Sequence, residues 1–198
     1  MPPTQAGYLQ SLPQGVKRRV NALRNLQAEY AQIEAEFYKG IYHLELKYAA
    51  FSQPLFDKRS DIINAVYEPT EDECQWAVGV QEGVCEAMER EPEGKPHING
   101  IPHFWLTAFK NIKVLCKLIR ENDELVLEHL KDVNIKFSGV EEPMSFTVEL
   151  VFKSNEYFFI EVLTKTYLMP SHPDDSDPFS SRVPEIIGST GCAIDWKE

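Results

Sequence analysis

The chain has 198 residues and a mass of 22.7 kDa, room for one domain or for one domain with a long appendage. Hydrophobic residues at 43% and charged residues at 26% are ordinary globular values, which argues against collagen-like, mucin-like and wholly disordered chains. The 31 Asp and Glu against 20 Lys and Arg leave a formal net charge of -11, a balance that repels DNA, RNA and anionic lipid and suits a basic partner.

Residues 1–66 read as one long helix. Ser11 can cap its start, and Pro13 is tolerated in a first turn. Val16, Val20, Leu23, Leu26, Tyr30, Ile33, Phe37, Ile41, Leu44, Tyr48, Phe51 and Leu55 then recur in steps of mostly three and four, a helical stripe close to heptad spacing. Gly15 and Gly40 interrupt it, and Pro54 is expected to kink or end it, with Phe56, Ile62, Ile63 and Val66 able to continue the stripe beyond. A rod of this length cannot lay its whole stripe on a domain of about 100 residues, so the expectation is a self-associated pair of helices. The competing reading is a monomeric helix folded back at Pro54.

Residues 67–100 are punctuated. Glu68-Pro69-Thr70 breaks the helix, Thr70-x-x-Glu73 has a capping-box pattern, and a short helix is expected before the polar linker Glu89-Arg90-Glu91-Pro92-Glu93-Gly94-Lys95-Pro96. Residues 101–198 follow as a compact unit. Phe104, Trp105, Ala108, Phe109, Ile112, Leu115, Cys116 and Ile119 give one helix a broad apolar face. Asn122 or Asp123 can cap a second helix with Leu125, Leu127 and Leu130. Alternation then predicts strands around Val133–Phe137, Phe146–Phe152 and Leu163–Met169, with a fourth opening at Ala193, Ile194 and Trp196. Helices followed by a meander of strands imply an α+β fold with an antiparallel sheet.

The charge is divided between these parts. Residues 1–66 hold eight basic and six acidic side chains, a net +2; the remainder holds 12 basic and 25 acidic, a net of −13. Three carboxylate clusters stand out: Glu121, Asp123, Glu124, Glu128 and Asp132; Glu141 and Glu142; and Asp174, Asp175 and Asp177. Each alone reads as a solvated surface. Together they suggest a surface that holds Lys- and Arg-rich partners through charge-assisted hydrogen bonds.

Little else in the sequence carries chemistry. It has no Gly-rich phosphate loop, no Gly-x-Ser-x-Gly elbow, and no His or Cys at a metal-ligand spacing. A Cys116–His129 nucleophile is the residual enzymatic reading, although Cys116 is expected on an apolar, inert helix face. No apolar run reaches the ~18 residues of a membrane helix, and Met1-Pro2-Pro3-Thr4-Gln5 does not resemble a secretory signal. Cys74, Cys85, Cys116 and Cys192 are scattered, so the expectation is a soluble intracellular protein with reduced thiols.

Several blocks, in order, resemble the nucleosome assembly proteins, a family of histone chaperones. They are Tyr8-Leu9-Gln10-Ser11-Leu12-Pro13 with Val16-Lys17-Arg18-Arg19-Val20-Asn21-Ala22-Leu23, then Gln53-Pro54-Leu55-Phe56-Asp57-Lys58-Arg59, and then Tyr67-Glu68-Pro69-Thr70. Gly100-Ile101-Pro102-His103-Phe104-Trp105-Leu106-Thr107, Pro143-Met144-Ser145-Phe146, Leu163-Thr164-Lys165-Thr166-Tyr167 and Gly191-Cys192-Ala193-Ile194-Asp195-Trp196-Lys197 follow. The resemblance implies a dimer through a long antiparallel helix pair, with acidic α+β domains that bind core histones, shield them from DNA and assist nucleosome assembly. It implies no enzymatic chemistry and no cofactor. It also implies shuttling between nucleus and cytoplasm, with an export signal on Val20, Leu23, Leu26 and Ile33.

The sequence departs from the family pattern in two ways. It stops at Glu198, before the basic hairpin, the further helices and the acidic tail usual in the family. It also places Trp76-Ala77-Val78-Gly79-Val80 where the family carries dense Glu and Asp. These departures suggest a short member, truncated at its C-terminal end. The alternative function is therefore a regulatory protein that dimerises with full-length relatives and binds histones weakly.

Overall fold

A computed structural model describes Tyr8 and residues 10–75, 99–140, 142–170 and 186–197. Helix α1 spans Gln14–Ile63, 50 residues and about 75 Å at 1.5 Å per residue. Helix α2 is Glu71–Cys74, α3 is Phe104–Asn111, α4 is Lys113–Leu118 and α5 is Glu121–Leu127. Strands β1 (Leu130–Phe137), β2 (Ser145–Phe152), β3 (Val162–Leu168) and β4 (Gly188–Gly191) form one antiparallel sheet in the order β1-β2-β3-β4. The α+β class is as the sequence indicates.

Four elements differ from expectation. Of the two outcomes expected at Pro54, a kink or an end, the end does not occur: helix α1 runs through it. Contacts beyond the proline outweigh the one lost backbone bond: Gln53 donates to Asp57 across it at 2.7 Å, and Arg59 and buried Ile63 anchor the next two turns. Ser11 does not cap α1; its hydroxyl donates to the Tyr8 carbonyl at 2.7 Å, and the Pro13 carbonyl accepts the first helical N–H groups. The single helix expected from Phe104 is broken at Ile112, where weak helix formers Asn111 and Ile112 meet, and α5 starts after Arg120 rather than at Asn122 or Asp123. The fourth strand is Gly188–Gly191; the segment expected to form it contributes only a bridge between Phe158 and Trp196. The short helix expected after Thr70 is Glu71–Cys74 and ends at Gln75, whose backbone is extended; the rest of the segment assigned to it lies outside the described residues.

The chain divides into two compact units, each taking part of α1 and part of the sheet. One comprises Met1–Tyr48, Lys136–Thr147 and Lys165–Thr190. Its anchor is Tyr42, 4% exposed, whose ring meets Phe137 edge-on at 5.8 Å. The Tyr42 hydroxyl lies 2.7 Å from Ser138 Oγ and 2.9 Å from the Ser145 carbonyl, while Ser138 Oγ reaches the Pro143 carbonyl at 2.8 Å and accepts the Ser145 N–H at 3.1 Å. Each hydroxyl thus has an acceptor for its one proton, and the β1–β2 turn is tied to the helix. Further along, Phe146 stacks on Tyr167 at 5.0 Å, and the Thr147 and Thr166 hydroxyls pair at 2.8 Å.

The other unit comprises Ala49–Ile135, Val148–Thr164 and Gly191–Glu198. Leu130, Phe152 and Phe158 form its core, with Trp105, Phe109, Val126, Leu127, Val133, Leu150 and Leu163 packed around them. Strand β1 is a sheet edge, and side chains cap its outward carbonyls. Asn64 Nδ2 and Trp105 Nε1 donate to the Lys131 carbonyl at 3.1 and 3.2 Å, and Arg59 reaches the Val133 carbonyl at 3.5 Å. Over Lys131–Val133 the edge carbonyls are therefore taken up and less available to a foreign strand.

The end of α1 is built with some strain. The Val66 N–H donates to the Asp61 carbonyl and the Ala65 N–H to the Ile62 carbonyl, a Schellman pattern that puts Ala65 at φ 56. The Ile63 carbonyl accepts the Ile101 N–H at 2.9 Å. Gly100 sits at φ +69 beside it, where a Cβ would lie 2.2 Å from the Ile63 oxygen, so only glycine fits.

Candidate functional site

Two surfaces carry the residues singled out by the sequence. The first is on α1. Ala31, Ala35 and Tyr42 are buried and share one side of the helix. At 100° per residue, the expected apolar stripe lies roughly 140° around the helix from them. Leu23, Leu26, Tyr30, Ile33, Phe37, Leu44, Tyr48, Phe51 and Leu55 are 53–70% exposed, Val16 and Ile41 less so, and Val20 is half-buried. A row of large apolar side chains along one helix is far more than the scattered exposure of an ordinary surface.

The second surface is acidic. Helix α5 turns Glu121, Leu125 and Glu128 outward, since Val126 and Leu127 are drawn to the core. The neighbouring carboxylates are engaged. Asp123 accepts the Arg120 N–H at 2.9 Å, capping the helix, and Glu124 binds Lys110 Nζ at 2.7 Å. Glu142 is exposed and accepts the Gly139 N–H at 3.2 Å in the β1–β2 turn. Glu141, Asp174, Asp175 and Asp177 lie outside the described residues.

Asp132 departs from the surface role expected of it. It is 8% exposed, accepts the Val133 N–H at 2.9 Å and lies 3.6 Å from the Arg59 guanidinium. That guanidinium is itself sandwiched between the Phe56 and Trp105 rings at 4.9 and 4.8 Å. Asp132 is therefore the counter-ion of a half-buried arginine and is itself withdrawn from the surface.

The fold also adds a carboxylate that sequence proximity did not reveal. Glu156, from the β2–β3 connection, lies 3.5 Å from Nε2 of His129, the residue after Glu128 in the chain. Tyr157 joins them. Burial first, then the Glu156 and Glu128 charges, push its phenol above the ordinary range. No spacing rule links residue 128 to residue 156; the hydrogen bond from the Lys153 N–H to the His129 carbonyl does.

Lys58, Glu73 and Tyr67 form a third cluster, at the foot of α1. Lys58 is hydrogen-bonded to Glu73 and stands over the Tyr67 ring at 4.8 Å; the Tyr67 hydroxyl and the Thr70 N–H donate to Glu73 at 2.7 and 2.9 Å. The Lys58 bond first, then the Thr70 N–H and the Tyr67 hydroxyl, lower the Glu73 pKa to about 2. Cys116 is exposed, not on a buried face as expected, and His129 is occupied by Glu156 and Tyr157. Among the described residues no cluster of His, Cys, Asp or Glu is arranged to hold a metal ion, and no helix is long and apolar enough to cross a membrane.

Comparison with known proteins places the chain in a family. The chain is 57% identical over 202 residues to Nucleosome assembly protein 1-like 1-A of Xenopus laevis and 55% identical over 203 residues to Nucleosome assembly protein 1-like 1 of Homo sapiens. In both cases the match covers 98% of this chain and 52% of the relative, so the chain spans about half the length of these relatives. The fold is shared with Nucleosome Assembly Protein 1 from Plasmodium knowlesi, at a TM-score of 0.53 and 23% identity over 95% of this chain and 69% of that one. It is shared also with a nucleosome assembly protein from Plasmodium falciparum, at 0.51 and 22% over 94% and 72%. Residues 18–198 match the Nucleosome assembly protein (NAP) family, and the chain belongs to this family of non-enzymatic histone chaperones.

Proposed function

We propose that the chain is a histone chaperone that dimerises through the exposed stripe of α1 and holds core histones against outward carboxylates. The partner helix is a second copy, or a longer relative carrying the same stripe. The observation that carries the reading is a pair of outward carboxylates at the two ends of α5, without an ion pair among the described residues, in a chain of this family: Glu121 opens the helix and Glu128 caps its end on the same face, with Glu156 against the adjoining His129. Lys and Arg side chains on a histone would meet them as charge-assisted hydrogen bonds, and a region at −13 would speed the encounter.

The mechanism is one of binding alone. Histone cations that meet protein carboxylates are withheld from phosphate, so the chaperone competes with DNA for the same charges. Because the carboxylates are exposed, each contact is individually modest and screened by salt, which makes release possible. Shuttling belongs to the same proposal, since Leu23, Leu26 and Ile33 are exposed on one chain and would be covered in a pair.

The test is charge reversal. Glu121→Lys with Glu128→Lys should weaken binding of core histones by about tenfold or more near 0.15 M salt and leave the far-ultraviolet spectrum unchanged. Equal affinity of the variant and the parent would exclude α5 as the binding face.

A further inference from the structure

Helix α4 packs against α3 on its inner side and leaves an outer face of unusual chemistry. Only Leu115 and, just past its end, Ile119 are drawn inward; Val114 and Leu118 are 68% and 69% exposed. Val114 and Leu118 are four residues apart and form one ridge; Lys113 and Lys117, also four apart, form the ridge beside it. The segment from Lys110 to Arg120 holds four cations and no carboxylate, inside a region that is otherwise strongly acidic.

The next helix has the complementary surface. On α5, Glu121, Leu125 and Glu128 lie at spacings of four and three, so an apolar side chain, itself 50% exposed, is flanked by two carboxylates. The two helices do not satisfy each other within one chain. Lys117 and Glu121 are four apart, but extended backbone at Ile119 (ψ 126) and Arg120 (ψ 163) breaks the helix between them. Neither Lys113 nor Lys117 forms an ion pair among the described residues.

From this complementarity we infer that α4 of one copy docks on α5 of another, in a two-fold contact separate from the α1 stripe. The occupant is a second copy because this chain itself supplies the matching pattern: an apolar ridge edged by lysine on one helix, and an apolar residue edged by glutamate on the other. A two-fold axis uses both helices of both copies, so each contact is made twice. Opposed lysine and glutamate fix the pairing, and Val114, Leu118 and Leu125 leave water. The contact is small, so it is weak and depends on concentration. It also covers Glu121 and Glu128, so docked copies would hold back those carboxylates from other cations.

The experiment uses the purified full chain without histones, so its outcome is independent of whether the chain binds them. Sedimentation velocity across a concentration series, near 0.15 M salt, should show species at twice the mass of the unit that α1 alone sustains. Lys113→Glu with Lys117→Glu should lower that association about tenfold or more, as should Glu121→Lys with Glu128→Lys. Mixing the two variants should restore it, because acidic α4 then meets basic α5, and basic α4 meets acidic α5. No doubling in the parent chain, doubling that ignores both pairs of substitutions, or variants that fail to recover on mixing while retaining the parent far-ultraviolet spectrum would each overturn the pairing.

Discussion

Phe37 offers the most direct perturbation of the α1 stripe. It is 61% exposed. An aromatic side chain buries about 150–250 Å², so roughly 120 Å² of Phe37 is left for a partner to cover. At about 25 cal/mol per Å² this is ~3 kcal/mol in each copy. A two-fold helix pair counts it twice, about 6 kcal/mol. Alanine retains part of that area, so Phe37→Ala is expected to raise the dimer dissociation constant by about three decades, at ~1.4 kcal/mol per decade. Sedimentation equilibrium reads this directly. The far-ultraviolet spectrum should not change, because the ring makes little of the fold of its own chain. A parent chain that sediments as a monomer, or a variant that dimerises as tightly as the parent, would refute the argument.

The same structure fixes three further outcomes. Gly100→Ala should lower stability by about 2–4 kcal/mol, from positive φ and from the clash with the Ile63 carbonyl, seen as a lower urea midpoint. Ala65→Gly relieves left-handed strain but loosens the unfolded chain, for a net gain of about 0.5–1 kcal/mol in the same measurement. Glu73, at about 2 when folded and about 4.3 when unfolded, adds stability that is complete above the unfolded value and is lost as pH falls through the folded one. The melting-temperature difference between the parent and Glu73→Gln should be constant from pH 7 to about 5 and vanish near pH 2. A difference that persists at pH 2 would mean that the Lys58–Glu73 bond is not its source.

How legible these features are in the sequence depends on the range of the interactions that make them. The stripe from Val16 to Leu55 is plain in the sequence because it is set by the helix repeat alone. The same repeat hides the second face: Ala31, Ala35 and Tyr42 look unremarkable until the hairpin at Ser138 and Ser145 closes on Tyr42. Pro54 does not end the helix, because a local propensity of ~3 kcal/mol is offset by several contacts beyond it, among them the stack of Arg59 on a ring more than 40 positions away. Strand β4 was hidden by its own composition, since Gly188 and Gly191 bracket a segment with no alternating pattern.

The carboxylates show the same division. Glu121 and Glu128 face outward, as the apolar residues between them on α5 imply. Asp132 follows them closely in sequence yet is withdrawn to balance Arg59, and Glu156 is distant in sequence yet joins His129 beside Glu128. Charge counted along the chain locates an acidic region; only the packing decides which charges are spent within the fold.

In the proposed function, this chain keeps histones from DNA by offering those unspent charges from a paired scaffold. Its most direct measurement is competition: core histones bound to DNA near 0.15 M salt are titrated with purified chain of known oligomeric state. Free DNA should be released in proportion to the chain added, and less so with Glu121→Lys and Glu128→Lys. A folded, dimeric chain that leaves the histones on the DNA would contradict the account.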